Sequence, residues 1–300
     1  MIRILHLIGD EVAPYRDGLA RLEAGISYPI ADGADRFRID HGARYEAFFE
    51  GLGEAHFMLA VDGDEVVGTC AGMLRFAEAN GRRVPTLYGA DFKVAPSHRG
   101  GKLARRYLWK GLFVLFRPSV FLRCRLAYMA AMRGRRGDVT RVAKDRISPM
   151  KLGRPAARLS IYFVAPEKLA HLDPSGCPPP PVGGIDLSPD LVCDPPGLLS
   201  TAGRKDLVLE STGHPWPLVH LPLGPAWWRP SFGHYLRRSG ELLGGKDAVA
   251  CFGLDDRLED HARWLASQGI VSGAVCTVYA LRLPGAPQFS PWVHLATSDI

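Results

Sequence analysis

The sequence predicts a mixed α/β (α+β) fold, in which a mostly antiparallel sheet is flanked by helices and is followed by a second, smaller α/β lobe. Three observations predict it. An Asp-Gly-Asp turn at residues 62–64 joins two apolar runs as a hairpin, and a third run follows. A glycine turn then opens an amphipathic helix at Gly101. A proline- and glycine-rich stretch, residues 173–184, separates the two parts.

These signals divide the 300 residues into a first domain (1–170), a linker (171–204) and a C-terminal lobe (205–300). In the first domain, we predict helices over 10–24, 43–52, 101–116 and 138–145, and strands over 56–61, 65–75, 84–94, 120–132 and 157–164. Asp138 is predicted to cap the last of these helices. Residues 26–42, which include a proline and a glycine, are predicted to be irregular.

The C-terminal lobe follows a similar order. Strands are predicted over 206–210, 217–223, 248–253, 272–283 and 292–297, with helices over 232–243 and 258–268. The order β-β-α-β-α-β-β parallels the second half of the first domain. We therefore expect a degenerate copy of the same architecture, used to support the first lobe or to cover a pocket.

Positive charge is concentrated around the glycine turn. Residues 92–158 hold 18 of the 37 Lys and Arg residues and only two acids, Asp138 and Asp145. A solvated basic face and a partner that carries phosphate both explain this excess. Aromatic side chains are not interleaved with the charges in a stacking pattern, so a nucleic-acid partner is not predicted.

Metal and membrane sites are also not predicted. The six cysteines form no CxxC pair and the histidines lack metal-ligand spacing, so we expect reduced thiols and no metal. No apolar run approaches the roughly 20 residues of a membrane helix. The sequence favours a soluble, cytoplasmic protein, monomeric or homodimeric.

The glycine turn itself, Arg99-Gly100-Gly101-Lys102-Leu103-Ala104, indicates an anion site, because glycines allow close approach and the first amides of a helix point outward. A Walker A loop is excluded, since the upstream glycine and the following Ser or Thr are missing. A dinucleotide fingerprint is excluded because no second parallel βαβ unit follows.

At these residues the chain resembles the GNAT acyltransferase superfamily over roughly residues 1–166. In that family a central strand ends at a pyrophosphate loop of pattern Gln/Arg-x-x-Gly-x-Gly/Ala and enters a long helix. Arg99 to Ala104 match the pattern after the lead-in Val94-Ala-Pro96, with Lys102 in place of the middle glycine.

The resemblance implies an acyl-CoA co-substrate, acetyl-CoA or another, and direct transfer of the acyl group to an amine of a small molecule, amino acid or peptide. The pantetheine arm would follow the strand from Asp91 to Val94, and the pyrophosphate would meet the loop. The predicted cofactor-binding residues are Phe92, Lys93, Val94, Arg99, Gly100, Gly101, Lys102, Leu103 and Ala104.

Two side chains are predicted for catalysis. Asp91, on the central strand, is the first candidate for general base, although an acid among so many basic residues also suits an ion pair. Tyr128, on the strand after the long helix, is the candidate acid for the departing thiolate. A backbone amide near Phe92 or Val94 would polarise the thioester carbonyl.

Two further interpretations stay open. The chain could be a non-catalytic acyl-CoA sensor that keeps the loop and has lost the chemistry. It could also take a long acyl chain from acyl carrier protein, as N-acyl amino acid synthases of the GNAT type do, since an acidic carrier suits a basic surface.

Overall fold

A computed structural model describes residues 1–30, 35–99, 103, 106–107, 109–110, 124–134, 137–138, 153–193, 196–224 and 231–300. Three predicted elements lie wholly or partly outside these ranges. The helix predicted over 101–116 is seen only at five helical residues between Leu103 and Lys110. Of the predicted helix 138–145, only Asp138 is described, and of the strand 120–132, only residues 124–132.

The first part of the chain contains nine strands and three α-helices among the described residues. The strands are β1 (Ile2–Ile8), β2 (Tyr28–Ile30), β3 (Asp35–Asp40), β4 (Glu54–Asp62), β5 (Glu65–Ala79), β6 (Arg82–Val94), β7 (Leu126–Gly134), β8 (Gly137–Asp138) and β9 (Arg154–Val164). The helices are α1 (Arg16–Ala24), α2 (Tyr45–Glu50) and α3 (Pro166–Ala170). Short 3₁₀ helices cover Gly9–Tyr15 and Pro96–His98.

The second part contributes the remaining described elements. Its strands are β10 (Ile185–Asp186), β11 (Leu199–Ser200), β12 (Asp206–Leu209), β13 (Leu218–His220), β14 (Val249–Asp255), β15 (Ala274–Arg282) and β16 (Val293–His294). Its helices are α4 (Phe232–Leu243) and α5 (Glu259–Ser267). Ser231 caps α4 by accepting a hydrogen bond from the backbone N–H of His234. No described helix has both the length and the apolar content that a membrane crossing needs.

One large sheet runs through both parts in the order β1-β4-β5-β6-β7-β15-β9-β14-β13-β11. Along this order the pairs are antiparallel except for β6–β7 and β13–β14, which are parallel; β10 and β16, which lie off it, also pair in parallel. The mixed, mostly antiparallel fold class predicted from the sequence is therefore confirmed. The two parts do not form separate sheets, because β15 from the second part lies between β7 and β9 of the first.

The sheet has an internal symmetry around the β15–β9 pair. On one side of this pair, β6 is parallel to β7, and β7 is antiparallel to β15. On the other side, β13 is parallel to β14, and β14 is antiparallel to β9. The central strands β15 and β9 are antiparallel to each other. Each half thus contributes one strand to the other. Strand β9 has two buried faces, with Leu159 and Ile161 in one apolar cluster and Tyr162 and Val164 in the other.

A second sheet, in the order β12-β3-β2, also joins the two parts. Leu207 of β12 pairs with Ile39 of β3. Residues 26–42 were predicted to be irregular, and this prediction is wrong for β2 and β3. The partner strand β12 is far away in sequence, so a local pattern does not reveal the pairing.

Two further corrections concern the first part. Strand β1 pairs with β4 along its whole length, although Ile2–Ile8 carried no strand prediction. Asp138 lies in β8, paired with Arg133, and the rest of the helix that it was predicted to cap lies outside the described residues. The predicted linker is partly ordered inside the fold, since Ile185 pairs with Ala79 of β5 and Leu187 is fully buried.

Candidate active site

A wedge opens between β6 and β7. The two parallel strands pair only from Thr86–Leu126 to Gly89–Met129. Beyond Gly89, β6 remains bonded to β5 on one side, while β7 continues along β15. Each strand therefore has an edge of main-chain groups that faces the wedge, and an extended ligand can add to such an edge as a further strand does.

A β-bulge lies at the mouth of this wedge. Ala90 opposes Ala71 and Lys93 opposes Thr69, so that Asp91 and its neighbour both lie opposite one residue of β5. Asp91 has a φ of +51°, in the left-handed region that is costly for a residue other than glycine. Its side chain is only 6% exposed, so contacts inside the protein hold this conformation.

A buried network of charged and polar side chains provides these contacts. The Lys93 ammonium lies 2.5 Å from Asp91 Oδ1 and 2.6 Å from Glu23 Oε1, and Tyr45 donates its hydroxyl to Asp91 Oδ2 at 2.6 Å. Glu23 Oε1 lies 2.5 Å from Nδ1 of His41. We call Glu23, His41, Tyr45, Asp91 and Lys93 the carboxylate network; it draws on α1, the end of β3, α2 and β6.

Electrostatics keep both partners of the central pair charged. Burial raises the pKa of Asp91, but Lys93 and His41 more than offset it and hold the pKa below its ordinary value. Burial lowers the pKa of Lys93, but Asp91 and Glu23 raise it above its ordinary value. Tyr45 has a raised pKa because it is buried and lies beside Asp91. Asp91 is thus a stabilised carboxylate rather than a strong base.

The network also has the composition of a metal site. Ligand atoms of Glu23, His41 and Asp91 all lie within 4.8 Å of one another. The ammonium of Lys93 is bound to both carboxylates, so a cation already occupies the position between them. These residues therefore do not favour a metal ion.

The structure describes some of the predicted cofactor-binding residues. Phe92 is 41% exposed, and its ring meets that of Tyr107 edge to face with the centroids 5.7 Å apart. Arg99 is exposed and donates from Nε to the main-chain oxygen of Val94 at 3.2 Å. The side chain of Lys93 belongs to the buried network, and Leu103 is also buried. Gly100, Gly101, Lys102 and Ala104 lie outside the described residues.

Tyr128 lies in a different cluster from Asp91. Its ring stacks on Tyr88 with the ring centroids 4.7 Å apart, and its hydroxyl donates to the main-chain oxygen of Leu187 at 3.2 Å. Burial raises its pKa. The two predicted catalytic side chains are therefore not brought together, and their catalytic roles stay predictions.

A second buried ion pair is formed by Arg75 of β5 and Asp299. Arg75 contacts Asp299 at 2.7 Å, Ser188 donates to the same carboxylate at 2.6 Å, and the Tyr88 hydroxyl donates to the main-chain oxygen of Asp299. Burial raises the pKa of Asp299, but Arg75 and the hydrogen bonds hold it below its ordinary value. This pair links the second part of the chain to β5 and β6.

A cavity of about 350 Å³ lies beside this region and is lined by residues of the second part of the chain. It is lined by Ser200, Thr201, Ala202, Lys205, Asp206, Leu207, Pro215, Trp216, Pro217, Leu218, Val219, His220, Asp247, Thr297 and Ile300. Lys205 is half-buried there, donates to the main-chain oxygens of Ser298 and Ile300 at 3.0 and 2.6 Å, and lies 4.8 Å from the ring centroid of Phe48.

Comparison with known protein families gives one match that includes the wedge. Residues 27–133, which hold β6 and most of β7, match the model of the acetyltransferase (GNAT) family. Among curated proteins, no match was found.

Solved structures superpose on nearly the whole chain. N-myristoyltransferase of Saccharomyces cerevisiae with bound myristoyl-CoA superposes at a TM-score of 0.50 and 8% identity, covering 94% of this chain and 79% of that one. A probable N-acyltransferase from Enterococcus faecalis gives 0.47 at 10% identity, covering 94% and 72%. A tandem GNAT protein from the clavulanic acid biosynthesis pathway gives 0.45 at 13%, covering 96% and 100%. At 8% identity the first likeness shows the fold alone, over nearly the whole chain.

Sequence reasoning missed most of the carboxylate network. One signal was present: Leu19 and Glu23 are four residues apart, so a helix over 10–24 places this acid on its buried face. A buried acid requires a partner, and that requirement points to a lysine or histidine elsewhere. Nothing in the spacing of His41, Tyr45 and Lys93 identifies them as the partners.

Proposed function

We propose that the protein is an acyl-CoA-dependent N-acyltransferase that transfers its acyl group, acetyl in the simplest case, directly to an amine. The observation that carries the proposal is the wedge between β6 and β7. It lies inside the GNAT segment, it offers the main chain of Phe92 and Val94 at an open edge, and it leads to the exposed Arg99.

The co-substrate would use these groups as follows. The amide groups of the pantetheine arm would pair with the edge of β6, and the pyrophosphate would lie near Arg99 and the loop that follows it. In the reaction the amine nitrogen bonds to the acyl carbon and the carbon–sulfur bond breaks. One proton leaves the nitrogen, and the departing thiolate takes one up.

The bulge supports a role for the main chain near Phe92 in stabilising the oxyanion. Backbone N–H groups stabilise an oxyanion well when they are fixed before the reaction. The carboxylate network fixes Asp91 in its left-handed conformation and so sets the direction of the adjoining amide. We therefore assign Asp91 and Lys93 a positioning role here, and Asp91 is retained as base only if the ion pair opens.

A second candidate function is acyl-CoA binding without catalysis. It is favoured by one observation: both predicted proton-transfer groups are engaged, Asp91 with Lys93 and Tyr128 with the Leu187 carbonyl. Transfer from acyl carrier protein stays a prediction, because most of the basic residues that suggested it lie outside the described residues.

A thiol-release assay separates the two candidates. Purified protein is incubated with acetyl-CoA and a panel of amines, and free thiol and N-acetyl product are both measured. Acylated product from at least one amine supports the transferase, and its rate should fall about tenfold or more in Asp91→Asn, because the bulge loses its fixed geometry. Binding of acetyl-CoA without any product across the panel would contradict the transferase and favour the second candidate.

A further inference from the structure

The cavity in the second part of the chain is linked to β6 through the segment that ends at Ile300. Ile300 lines the cavity and follows Asp299, whose main-chain oxygen accepts a hydrogen bond from Tyr88 of β6. Tyr88 and Tyr128 form the last residue pair but one between β6 and β7, whose pairing ends at Gly89. The Tyr88 hydroxyl thus joins β6, the strand on which the acyl carbonyl is expected, to the segment whose last residue lines the cavity.

His220 presents a fixed hydrogen-bond acceptor to this cavity. Thr297 donates its hydroxyl to the main-chain oxygen of Cys251 at 3.2 Å, so it must accept the hydrogen bond that joins it to Nδ1 of His220 at 2.9 Å. The proton of this imidazole is thereby placed on Nδ1. In the described part of the chain the neighbour of Nε2 is the Thr201 hydroxyl at 3.4 Å, which itself donates to the Lys205 carbonyl at 2.9 Å. Nε2 thus keeps a lone pair.

The charges around the cavity favour an uncharged ligand at depth. Burial, with Lys205 nearby, lowers the pKa of His220 to about 3, so the imidazole is neutral near pH 7. Burial also lowers the pKa of Lys205 to about 8. Of the two acids in the lining, Asp206 accepts hydrogen bonds from the Gly203 amide on both oxygens, and Asp247 is exposed to solvent. A second cation beside the half-buried Lys205 would be repelled.

The remaining walls are apolar and the volume is small. Leu207, Pro215, Trp216, Pro217 and Leu218 form much of the lining. About 350 Å³ is at the lower end of the range for pockets that hold small molecules. A peptide chain or a polycation does not suit such a space.

We propose that this cavity is the acceptor site and that it binds a small primary amine on an apolar body, with an amine N–H donated to Nε2 of His220. The proposal rests on the proposed function, because it names the acceptor class of that same reaction. The amine is held as the free base, the form in which the nitrogen lone pair can attack a thioester. His220 binds the acceptor and is not assigned as the base.

Binding of a probe amine to the protein without acyl-CoA tests the cavity independently of turnover. The probe is 2-phenylethylamine, titrated by calorimetry, with spermidine as the polycationic comparison. His220→Asn keeps a donor for Thr297 but removes Nε2, and should weaken binding of 2-phenylethylamine about tenfold, the effect of one lost hydrogen bond in a buried site. Ala202→Phe fills the cavity from an exposed turn position and should weaken it at least as much, while Ala202→Ser should not.

The outcomes distinguish this proposal from the proposed function. Binding that both His220→Asn and Ala202→Phe weaken supports the acceptor site, even if no acyl product forms, in which case only the transferase is contradicted. Tighter binding of spermidine, no binding of 2-phenylethylamine, or binding and turnover that neither variant changes would overturn the acceptor site. If His220→Asn does not fold, as judged by circular dichroism, Ala202→Phe and Ala202→Ser decide alone.

Discussion

The parallel strand pairs β6–β7 and β13–β14 of the large sheet share their topology but differ in what surrounds them. Around β6–β7 lie buried ions: Lys93 between two carboxylates, and Arg75 with Asp299. After β13 the chain instead buries Leu221 and Leu223 in an apolar cluster with α4. The fold is repeated, whereas the bulge and the charged network are described only beside β6. We conclude that the bulge and the buried ions distinguish the first pair as the acyl-CoA side, whereas the second pair combines packing with one wall of the proposed acceptor cavity.

The largest expected difference between the halves comes from removing the central ion. Lys93→Met leaves two buried carboxylates without their cation, which should lower the free energy of unfolding by about 3–5 kcal/mol. Lys246→Met, which removes an exposed lysine of the second half, should change it by less than about 0.5 kcal/mol. Urea denaturation of both variants measures the difference, and equal losses would show that the network is not a special feature of the first half.

The next effect concerns pH and the neutral imidazole of the second half. The pKa of His220 is lowered from 6.5 to about 3, so between these values the unfolded chain binds a proton that the folded chain does not. The stability that His220 contributes is complete above pH 6.5 and is lost as the pH falls toward 3. From pH 6.5 to 4.5 we expect a loss of about 2–3 kcal/mol, at about 1.4 kcal/mol per pH unit.

His220→Asn provides the control for this prediction, because asparagine does not titrate. The variant should lose less stability than the natural protein over the same interval, measured by urea denaturation at each pH. Parallel curves for the two proteins would mean that the buried imidazole is not the group responsible.

The smallest predicted contrast compares a hydrogen bond to an ion with one between neutral groups. Tyr45→Phe removes a 2.6 Å bond to the Asp91 carboxylate and should cost about 2 kcal/mol. Tyr235→Phe removes a 2.6 Å bond to the Gly197 carbonyl in the second half and should cost about 1 kcal/mol. Phenylalanine keeps the ring packing at both positions, and thermal or urea unfolding ranks them. The reverse order would contradict the charged character of the carboxylate network.

Local patterns explain which parts of the fold the sequence could predict. The hairpin around Gly63 and the helix at 232–243 depend on neighbouring residues, and both are confirmed. The insertion of β15 between β7 and β9 and the pairing of β3 with β12 depend on contacts far apart in sequence. Strand β1 was missed because a short apolar run has no decisive period.

The site divides in the same way. Arg99 and the following glycines form a contiguous motif, so the sequence indicated an acyl-CoA loop, and the GNAT segment at 27–133 agrees with it. Asp91 was singled out by its position on the central strand. Its ion pair with Lys93 and its left-handed conformation follow from a bulge that only the register of β5 and β6 defines.

We propose that acyl-CoA binds at the wedge in the first half and not at the second parallel pair. Titration calorimetry with acetyl-CoA tests it most directly, using Arg99→Glu beside Arg238→Glu, an equal charge reversal at an exposed position of α4. We predict about one molecule bound per chain, at least tenfold weaker binding in Arg99→Glu because a phosphate contact becomes a repulsion, and no change in Arg238→Glu. Absence of binding, two molecules per chain, or equal weakening by both substitutions would contradict the account.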